Sequence, residues 1–290
     1  MKNYKKGTVL ITGGGSGIGR LLSLHFANEG NKIVIWDIDK NSADKVVNEI
    51  KQKGADAKAY KCDVSDRNAV YRTAEKVKKE TGKVDTLINN AGVVTGKPFL
   101  KCSDEQLKKT MDINILAHFW TVKAFLPDMI KSGTGHIVTI SSAGGLIGVA
   151  SLADYCTSKF AAFGFNESIR MELKKQNIKG IYTTCICPYF INTGMFNGVK
   201  SKFKFLLPIL DEKKTALKIF NAIMKKKPVL KMPWIVNTIP FLRLFPAGLM
   251  DLLASFLGIS NSMDSFKGRK AGDGDDIRHH HKLDLPRAGG

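Results

Sequence analysis

The chain has 290 residues, of which 43% are hydrophobic and 24% are charged, and its formal net charge is +19. These proportions exclude a wholly disordered chain and a collagen-like repeat, and the length is ample for a sizeable core. Five cysteines without a Cys-x-x-Cys pair argue against a disulfide framework and a zinc ribbon. The positive charge would suit nucleic acid, an anionic membrane or solubility alone, but no arginine-rich run indicates nucleic acid.

The two ends of the chain differ from its body. Residues 1–6 (MKNYKK) are too polar for a signal peptide, and no run of 18 uninterrupted apolar residues predicts a transmembrane helix. Residues 271–290 are rich in Gly and Asp and contain three adjacent histidines without periodicity. We interpret them as a flexible tail or a vector-derived scar rather than a metal site, and we predict no metal.

Short apolar runs alternate with helical patterns along the body. The strand candidates are residues 9–11, 32–36, 57–62, 84–88, 136–140 and 179–187. Helical patterns run to residue 26 and over residues 42–53, 67–81, 103–125 and 153–175. This alternation predicts an α/β fold with one Rossmann-like, doubly wound parallel sheet and helices on both faces. Such a sheet binds ligands at the carboxyl ends of its strands.

A glycine-rich turn, TGGGSGIG over residues 12–19, joins the first predicted strand to the first predicted helix. Glycines allow a tight turn and let the backbone approach a pyrophosphate closely. The N-terminus of the helix adds free N–H groups and the positive end of its dipole. An ordinary glycine turn is the alternative, but the position between strand and helix favours a dinucleotide.

Asp37 ends the second predicted strand, 18 residues beyond Gly19. A carboxylate there can accept hydrogen bonds from both ribose hydroxyls and repels a 2′-phosphate, so it favours NAD over NADP. The alternative is a surface turn aspartate. Arg20 and Lys40 are nearby cations that would weaken the preference.

Tyr155 and Lys159 are four residues apart in a helical pattern and therefore share one face. An ammonium beside a phenol favours the phenolate, which predicts a pKa for Tyr155 below its ordinary value of about 10. Such a tyrosine can exchange a proton with an alcohol or carbonyl oxygen. Ser142 lies 13 residues earlier, just after the fifth predicted strand, and its hydroxyl could orient that oxygen.

A series of short motifs follows one order: residues 12–19, Asp63-Val64, residues 89–92 (NNAG), Asn114, Ser142, Tyr155-x-x-x-Lys159, and Pro188 through Thr193-Gly194. In this order the motifs resemble the short-chain dehydrogenase/reductase family over residues 7–195. The resemblance implies an oxidoreductase that acts on CH–OH groups with NAD, and a homodimer that packs through two long helices.

The resemblance also implies a role for each matched residue. Tyr155 would be the general acid/base, Lys159 would lower its pKa and hold the nicotinamide ribose, and Ser142 would bind the substrate oxygen. Asn114 would support a water linked to Lys159. Besides Tyr155 and Lys159, the predicted cofactor contacts are Gly13, Ser16, Gly17, Ile18, Gly19, Asp37, Asp63, Val64, Asn90, Ala91, Gly92, Pro188, Ile191 and Thr193.

Other segments resemble a membrane-associated group within the family, which contains retinol and 17β-hydroxysteroid dehydrogenases. They are residues 114–127 and 153–165 and, on the retinol-active side, residues 193–196, 206–210 and 263–266. Members usually carry an N-terminal hydrophobic anchor, and we expect either that it is naturally absent here or that it has been removed. The resemblance implies a place at the cytosolic face of the endoplasmic reticulum membrane or at a lipid droplet.

Residues 196–270 are predicted to form a substrate lid and membrane-contact extension of the 7–195 core. Residues 198–243 contain 11 basic and two acidic residues among apolar ones, and Pro233, Pro240 and Pro246 break the segment into short pieces. This mixture favours an interfacial surface over a spanning helix. A lid with solvated lysines and a dimer contact are the alternatives.

We therefore predict an NAD-dependent dehydrogenase of a lipophilic alcohol, with retinol/retinaldehyde first and a 17β-hydroxysteroid second. A catalytically idle, cofactor-binding lipid-droplet protein competes with it, but such a protein has no need of the full set of Asn114, Ser142, Tyr155 and Lys159. Nucleic-acid binding ranks third, because the basic residues alternate with aliphatic rather than stacking aromatic ones.

Overall fold

The computed structural model describes residues 6–268 and contains one parallel sheet in the order β3-β2-β1-β4-β5-β6-β7. Its strands are β1 (Thr8–Thr12), β2 (Lys32–Asp37), β3 (Ala57–Lys61), β4 (Thr86–Asn89), β5 (Gly135–Ile140), β6 (Ile181–Pro188) and β7 (Val229–Met232). The predicted doubly wound fold and its first six strands are confirmed, with ends shifted by a residue or two. The strand order reverses between β1 and β4, which is where such sheets bind ligands.

Helices pack on both faces of the sheet, and the last two described helices lie in the C-terminal segment. The helices are α1 (Gly17–Asn28), α2 (Lys40–Gln52), α3 (Arg67–Thr81), α4 (Asp104–Met111), α5 (Ala117–Ser132), α6 (Ala153–Lys175), α7 (Glu212–Met224), α8 (Ile239–Leu242) and α9 (Ala247–Phe256). Side-chain caps begin several of them; for example, Asp66 accepts hydrogen bonds from the N–H groups of Asn68 and Ala69. A π-helical turn over Asp112–Leu116 separates α4 from α5 within the predicted 103–125 region.

Alternation along the strands divides the core into two layers. Val9 and Ile11 of β1 pack with α1, α2 and α7 on one face, whereas Leu10 packs with α3 and α5 on the other. Because successive side chains of a strand point to opposite faces, a strand covered on both sides reads as an unbroken apolar run. This is why residues 9–11 and 32–36 were recognisable as strands.

The edge strand β7 and the preceding helix α7 were not predicted. β7 has only four residues (VLKM) and is partly exposed, so it lacks the continuous apolar run of a central strand. It is recruited by pairing with β6, with Cys185 opposite Val229 and Pro188 opposite Met232. Only this tertiary pairing makes it a strand.

The segment beyond residue 195 packs back on the core as short pieces. Lys200 N–H donates to Ser262 O, and Lys267 N–H donates to Asn197 O at 2.8 Å, which ties residues 197–200 to residues 262–267. Within residues 6–268, no helix is both long and apolar enough to cross a bilayer. The predicted tail over 271–290 lies outside the described residues.

Candidate active site

The glycine turn forms a tight cradle at the carboxyl end of β1. Gly13 and Gly17 adopt positive φ angles of 62° and 48°. A Cβ atom at Gly13 would lie 3.0 Å from the Cα atom of Ala91, and one at Gly19 would lie 2.2 Å from the Gly13 carbonyl oxygen. Because α1 starts at Gly17, its free N–H groups face this cradle, and the geometry fits the pyrophosphate of a dinucleotide. Ser16 and Ile18 lie in the same turn, as predicted.

Thr12 and Asn90 hold the cradle against the end of β4. The Thr12 hydroxyl oxygen accepts from the N–H groups of Asn90 and Ala91 at 3.0 and 3.1 Å. The Asn90 side-chain amide donates to the carbonyl oxygens of Thr12 and Gly13 at 2.9 and 3.1 Å. The Asn90 side chain therefore braces the turn, and Thr12 is a supporting residue that the sequence analysis did not identify.

Asp37 lies beside the glycine turn, as its position at the end of β2 predicted. Its Oδ2 atom accepts from the Gly15 N–H group at 2.8 Å, and its Oδ1 atom accepts from the Asp39 N–H group at 3.0 Å. The two cations that would weaken its preference for NAD are engaged elsewhere. Arg20 forms an ion pair with Glu49 at 2.7 Å, and Lys40 forms one with Asp44.

The remaining predicted cofactor residues occupy two further strand ends. Asp63 follows β3, and its Oδ1 atom accepts from the N–H and hydroxyl groups of Ser65 at 2.9 and 2.6 Å, while Val64 is buried. Pro188 ends β6, and the chain then runs to the glycine turn. There Thr193 lies against Gly17, since a Cβ atom at Gly17 would be 3.4 Å from the Cβ atom of Thr193. Ile191 is held there by a parallel bridge to Leu210.

Ser142, Tyr155 and Lys159 meet beyond the carboxyl end of β5, and all three are buried. The Ser142 hydroxyl oxygen accepts from the Gly144 N–H group at 3.0 Å and also hydrogen-bonds Tyr155. The Lys159 ammonium donates to the Ile140 carbonyl oxygen at 2.8 Å and lies 5.7 Å from the Tyr155 ring centroid. The structure thus brings together the residues that the sequence places 13 and four positions apart.

The protonation of this group differs from the sequence-based expectation. Burial raises the pKa of Tyr155, and the hydrogen bond with Ser142 opposes this only in part. Burial lowers the pKa of Lys159 to about 8, against small opposing contributions from Cys185 and Cys187. The prediction that Lys159 brings the pKa of Tyr155 below its ordinary value is wrong for this arrangement, because desolvation of the phenolate dominates.

Asn114 lies in the π-helical turn, and helical distortions of this kind are frequent at functional sites. Its Oδ1 atom accepts from the Val93 N–H group at 2.8 Å, and its Nδ2 atom donates to Val93 O and Ser158 Oγ at 2.9 and 3.0 Å. A Cβ atom at Gly92 would lie 3.3 Å from Asn114 Oδ1 and 3.5 Å from Lys159 Nζ. Asn114 therefore joins the loop after β4 to α6, close to Lys159.

An apolar cavity opens directly onto Ser142 and Tyr155. Its volume is about 860 Å³, including open solvent at its mouth. The chain beyond residue 188 supplies most of the wall, through the apolar side chains of Tyr189, Phe190, Phe196, Leu207, Ile235, Val236, Ile239, Leu242, Met250, Leu253, Leu257 and Ile259. The hydroxyls of Ser142 and Tyr155 thus lie at the polar base of an otherwise apolar cavity.

A doubly wound sheet with a glycine cradle at its switch point and a buried Ser-Tyr-Lys group beside it defines a nucleotide-dependent oxidoreductase. The family model of the short chain dehydrogenases matches residues 7–203. The chain therefore belongs to the short-chain dehydrogenase/reductase family. It is an oxidoreductase that acts on CH–OH groups and uses a nicotinamide cofactor.

Known relatives and structures are similar along most of the chain. Epidermal retinol dehydrogenase 2 of Homo sapiens is 51% identical over 271 residues, which cover 93% of this chain and 88% of the relative. Retinol dehydrogenase 10 of Homo sapiens is 39% identical, covering 89% and 84%. The crystal structure of a short chain dehydrogenase/reductase from Burkholderia phymatum in complex with NAD superposes with a TM-score of 0.76 at 24% identity, covering 87% and 97%.

Proposed function

We propose that the chain is an NAD(H)-dependent dehydrogenase of a bulky lipophilic alcohol, with retinol and retinaldehyde as the first substrate pair. The cavity carries the proposal, because its wall is almost wholly apolar and it opens onto Ser142 and Tyr155. Its polar base offers Ser142 and Tyr155 to a single oxygen. The two relatives named as retinol dehydrogenases support the same substrate class.

The chemistry assigns separate tasks to the buried side chains. Tyr155 keeps its proton because burial raises its pKa, so it is suited to donate that proton to a carbonyl oxygen. In the reverse direction its phenolate accepts the proton of the alcohol. Ser142 orients the same oxygen, and Lys159 holds the nicotinamide ribose. The bound cofactor would supply or accept the hydride at the carbinol carbon.

The glycine cradle, Asp37 and the residues after β6 would hold the cofactor. Asp37 supports NAD as the preferred form, because its carboxylate stands at the ribose end of the cradle while Arg20 and Lys40 are paired with other carboxylates. A 2′-phosphate would meet this negative charge without a free cation from those two side chains.

An exposed apolar surface supports contact with a membrane or lipid droplet at its cytosolic side. Phe205, Phe241 and Leu244 are 93%, 71% and 82% exposed, and Trp234, Leu252 and Phe256 are also mostly exposed. Single exposed apolar residues are common, but these side chains all fall within residues 205–256, which supports an interaction site in this segment. The exposed Lys202 and Lys204 lie in the same segment as Phe205 and suit anionic headgroups.

The lysines of residues 225–227 are separated from Trp234 and Phe241 by strand β7. They precede β7, whereas Trp234 and Phe241 follow it. A four-residue strand rises about 3.3 Å per residue, so the two groups lie at opposite ends of β7. We also propose the homodimer that the family resemblance implies, packed through the helical regions of residues 106–125 and 153–175.

The substrate proposal is tested by NADH formation with the purified protein in lipid or mild detergent. All-trans-retinol and estradiol are offered in parallel, with NADP as the cofactor control. Faster turnover of retinol with NAD supports the proposal, whereas preference for estradiol moves the substrate to the steroids. No turnover of either, despite measured NAD binding, would contradict the proposed substrate class.

Membrane contact is tested by flotation with anionic liposomes at low and high salt. We expect flotation that weakens as salt rises, because the headgroup attraction is screened. The matched variants are Leu244→Ser and Lys225→Ser. The first removes an exposed apolar side chain, and the second removes a charge that lies before β7. Equal flotation of both variants would count against the assigned surface.

A further inference from the structure

Asp154 is a buried carboxylate beside the catalytic tyrosine that the chemistry above does not use. It lies in the first turn of α6, directly before Tyr155, and is only 7% exposed. Its Oδ2 atom accepts from the hydroxyls of Thr95 and Thr110 at 2.6 and 2.8 Å. Its Oδ1 atom is buried without a hydrogen-bond partner among the described residues. Burial of a carboxylate with an unpaired oxygen costs free energy that an apolar residue at this position would avoid. The presence of Asp154 therefore needs a functional explanation.

The hydrogen bonds of Asp154 hold one loop, residues 93–96, which follows β4. Asn114 holds the start of this loop through both backbone groups of Val93, at 2.8 and 2.9 Å. Asp154 holds its other end through Thr95, with Thr110 of α4 as the second donor. The loop is therefore tied to α4 and to the N-terminus of α6 at the same time.

The end of this loop supports an aromatic side chain from the C-terminal extension. The ring of Phe266 lies directly on Gly96, where a Cβ atom would be 2.2 Å from the ring carbon Cε1. Phe266 contacts Phe196 with ring centroids 6.4 Å apart, and Phe196 stands edge-on to the ring of Tyr155 at 5.6 Å. Phe196 is itself a wall residue of the cavity.

We propose that Asp154 is a positioning residue that selects bulky apolar substrates. By fixing Thr95 it places Gly96 under Phe266, and Phe266 in turn holds Phe196 against Tyr155, which sets the cavity wall beside the reacting oxygen. The selection of bulky alcohols rests on the proposed function, whereas the path from Asp154 to Phe266 rests on the contacts alone.

The readout is a specificity ratio, the kcat/KM of a bulky alcohol (all-trans-retinol or estradiol) divided by that of cyclohexanol, which is too small to need the Phe196 wall. Asp154→Ala should lower this ratio at least tenfold, because misplacement of about 1 Å can cost about 100-fold in rate. Asp154→Asn, whose amide oxygen can still accept both hydroxyls, should stay within about threefold of the wild type. The matched control on α6 is Glu167→Ala, an exposed carboxylate paired with Arg170, which should leave the ratio unchanged.

A double-mutant cycle separates positioning from general damage. If Asp154 acts through Phe266, Asp154→Ala should lower the ratio no further in a Phe266→Ala background. Independent, additive losses would overturn the proposal. Should Asp154→Ala not fold, Thr95→Val removes the same tie with nearly the same side-chain volume and enters the same cycle.

Hydrogen exchange tests the structural path without any turnover. In Asp154→Ala, amides of residues 93–98 and 262–267 should exchange faster, whereas those of β1 and α1 should not change. Unchanged exchange in both segments would refute the positioning role. If the wild type oxidises neither bulky alcohol, the proposed substrate class fails, and the exchange result alone decides the role of Asp154.

Discussion

Two glycine-to-alanine substitutions in helices should have opposite effects on this protein. Gly19 lies in the first turn of α1, and a Cβ atom there would meet the Gly13 carbonyl oxygen at 2.2 Å and Asn90 Nδ2 at 2.6 Å. Gly164 lies within α6, is exposed, and would place its Cβ atom in open space. The chemical change is identical, so the surroundings alone determine the outcome.

The size of the Gly19→Ala effect follows from this geometry. Ordinary contact begins at 3.4 Å, so the backbone at Gly13 must move by about 1.2 Å from its 2.2 Å separation. Overpacking of this kind costs about 1–3 kcal/mol of unfolding free energy. The shift also widens the cradle and distorts the 3.1 Å hydrogen bond from Asn90 Nδ2 to the Gly13 carbonyl oxygen. NAD should therefore bind at least tenfold more weakly. Gly164→Ala should instead stabilise by about 0.5–1 kcal/mol, because glycine loses more backbone entropy in a helix.

Urea unfolding gives the stability change, and titration of protein fluorescence with NADH gives the affinity. Gel filtration verifies that Gly164→Ala keeps the oligomeric state of the wild type, since α6 belongs to the proposed dimer contact. The reasoning is refuted if Gly19→Ala has the wild-type unfolding midpoint and binds NADH as tightly as the wild type. Gly164→Ala shows whether the method resolves a change of this size.

Four further predictions follow from the site. Tyr155→Phe should reduce turnover at least 1,000-fold, because general acid–base catalysis contributes about 100- to 10,000-fold to a rate. NADH titration of this variant should give a binding constant within about twofold of the wild type. Asp37→Ser should lower the ratio of kcat/KM for NAD over NADP at least tenfold in steady-state assays, and an unchanged ratio would remove Asp37 from cofactor selection. The pKa of Lys159 is lowered to about 8 from 10.5, so between these pH values the unfolded chain binds a proton that the native chain lacks. Wild type should therefore gain unfolding free energy relative to Lys159→Met as pH rises from 8 to 10.5, and a flat difference in urea melts would contradict the shift. Leu244→Ser should weaken liposome flotation with no change in cyclohexanol oxidation.

The Ser142-Tyr155-Lys159 group illustrates how much local spacing in the sequence can predict. Tyr155 and Lys159 could be paired from the sequence because four residues along a helix bring two side chains to one face. Their protonation could not be predicted, because it depends on burial, and burial comes from Ser142, the cavity wall and the sheet together. The ammonium donates to Ile140 O rather than acting mainly on the phenol, a contact 19 residues distant in sequence.

Asp154 and Phe266 illustrate what local spacing misses. The chain separates them by more than 100 residues, and neither is among the catalytic or cofactor-binding residues that the family resemblance implies. They are connected only through Thr95 and Gly96, on a loop whose position depends on α4 and α6. Similarly, the lysines of residues 225–227 and Trp234 are close in sequence, but strand β7 holds them at its opposite ends.

The sequence by itself determined the alternation of strands and helices, the glycine turn, Asp37 at a strand end and the order of the motifs. These are local properties, set by side-chain periodicity and by the backbone freedom of glycine, which a linear chain records directly. The tertiary structure alone decided that β7 is a strand, which charges lie near the apolar surface, how the cavity is closed and how its buried groups are protonated. Each of these depends on surface removed from water by contacts between distant segments, and no local pattern encodes that burial.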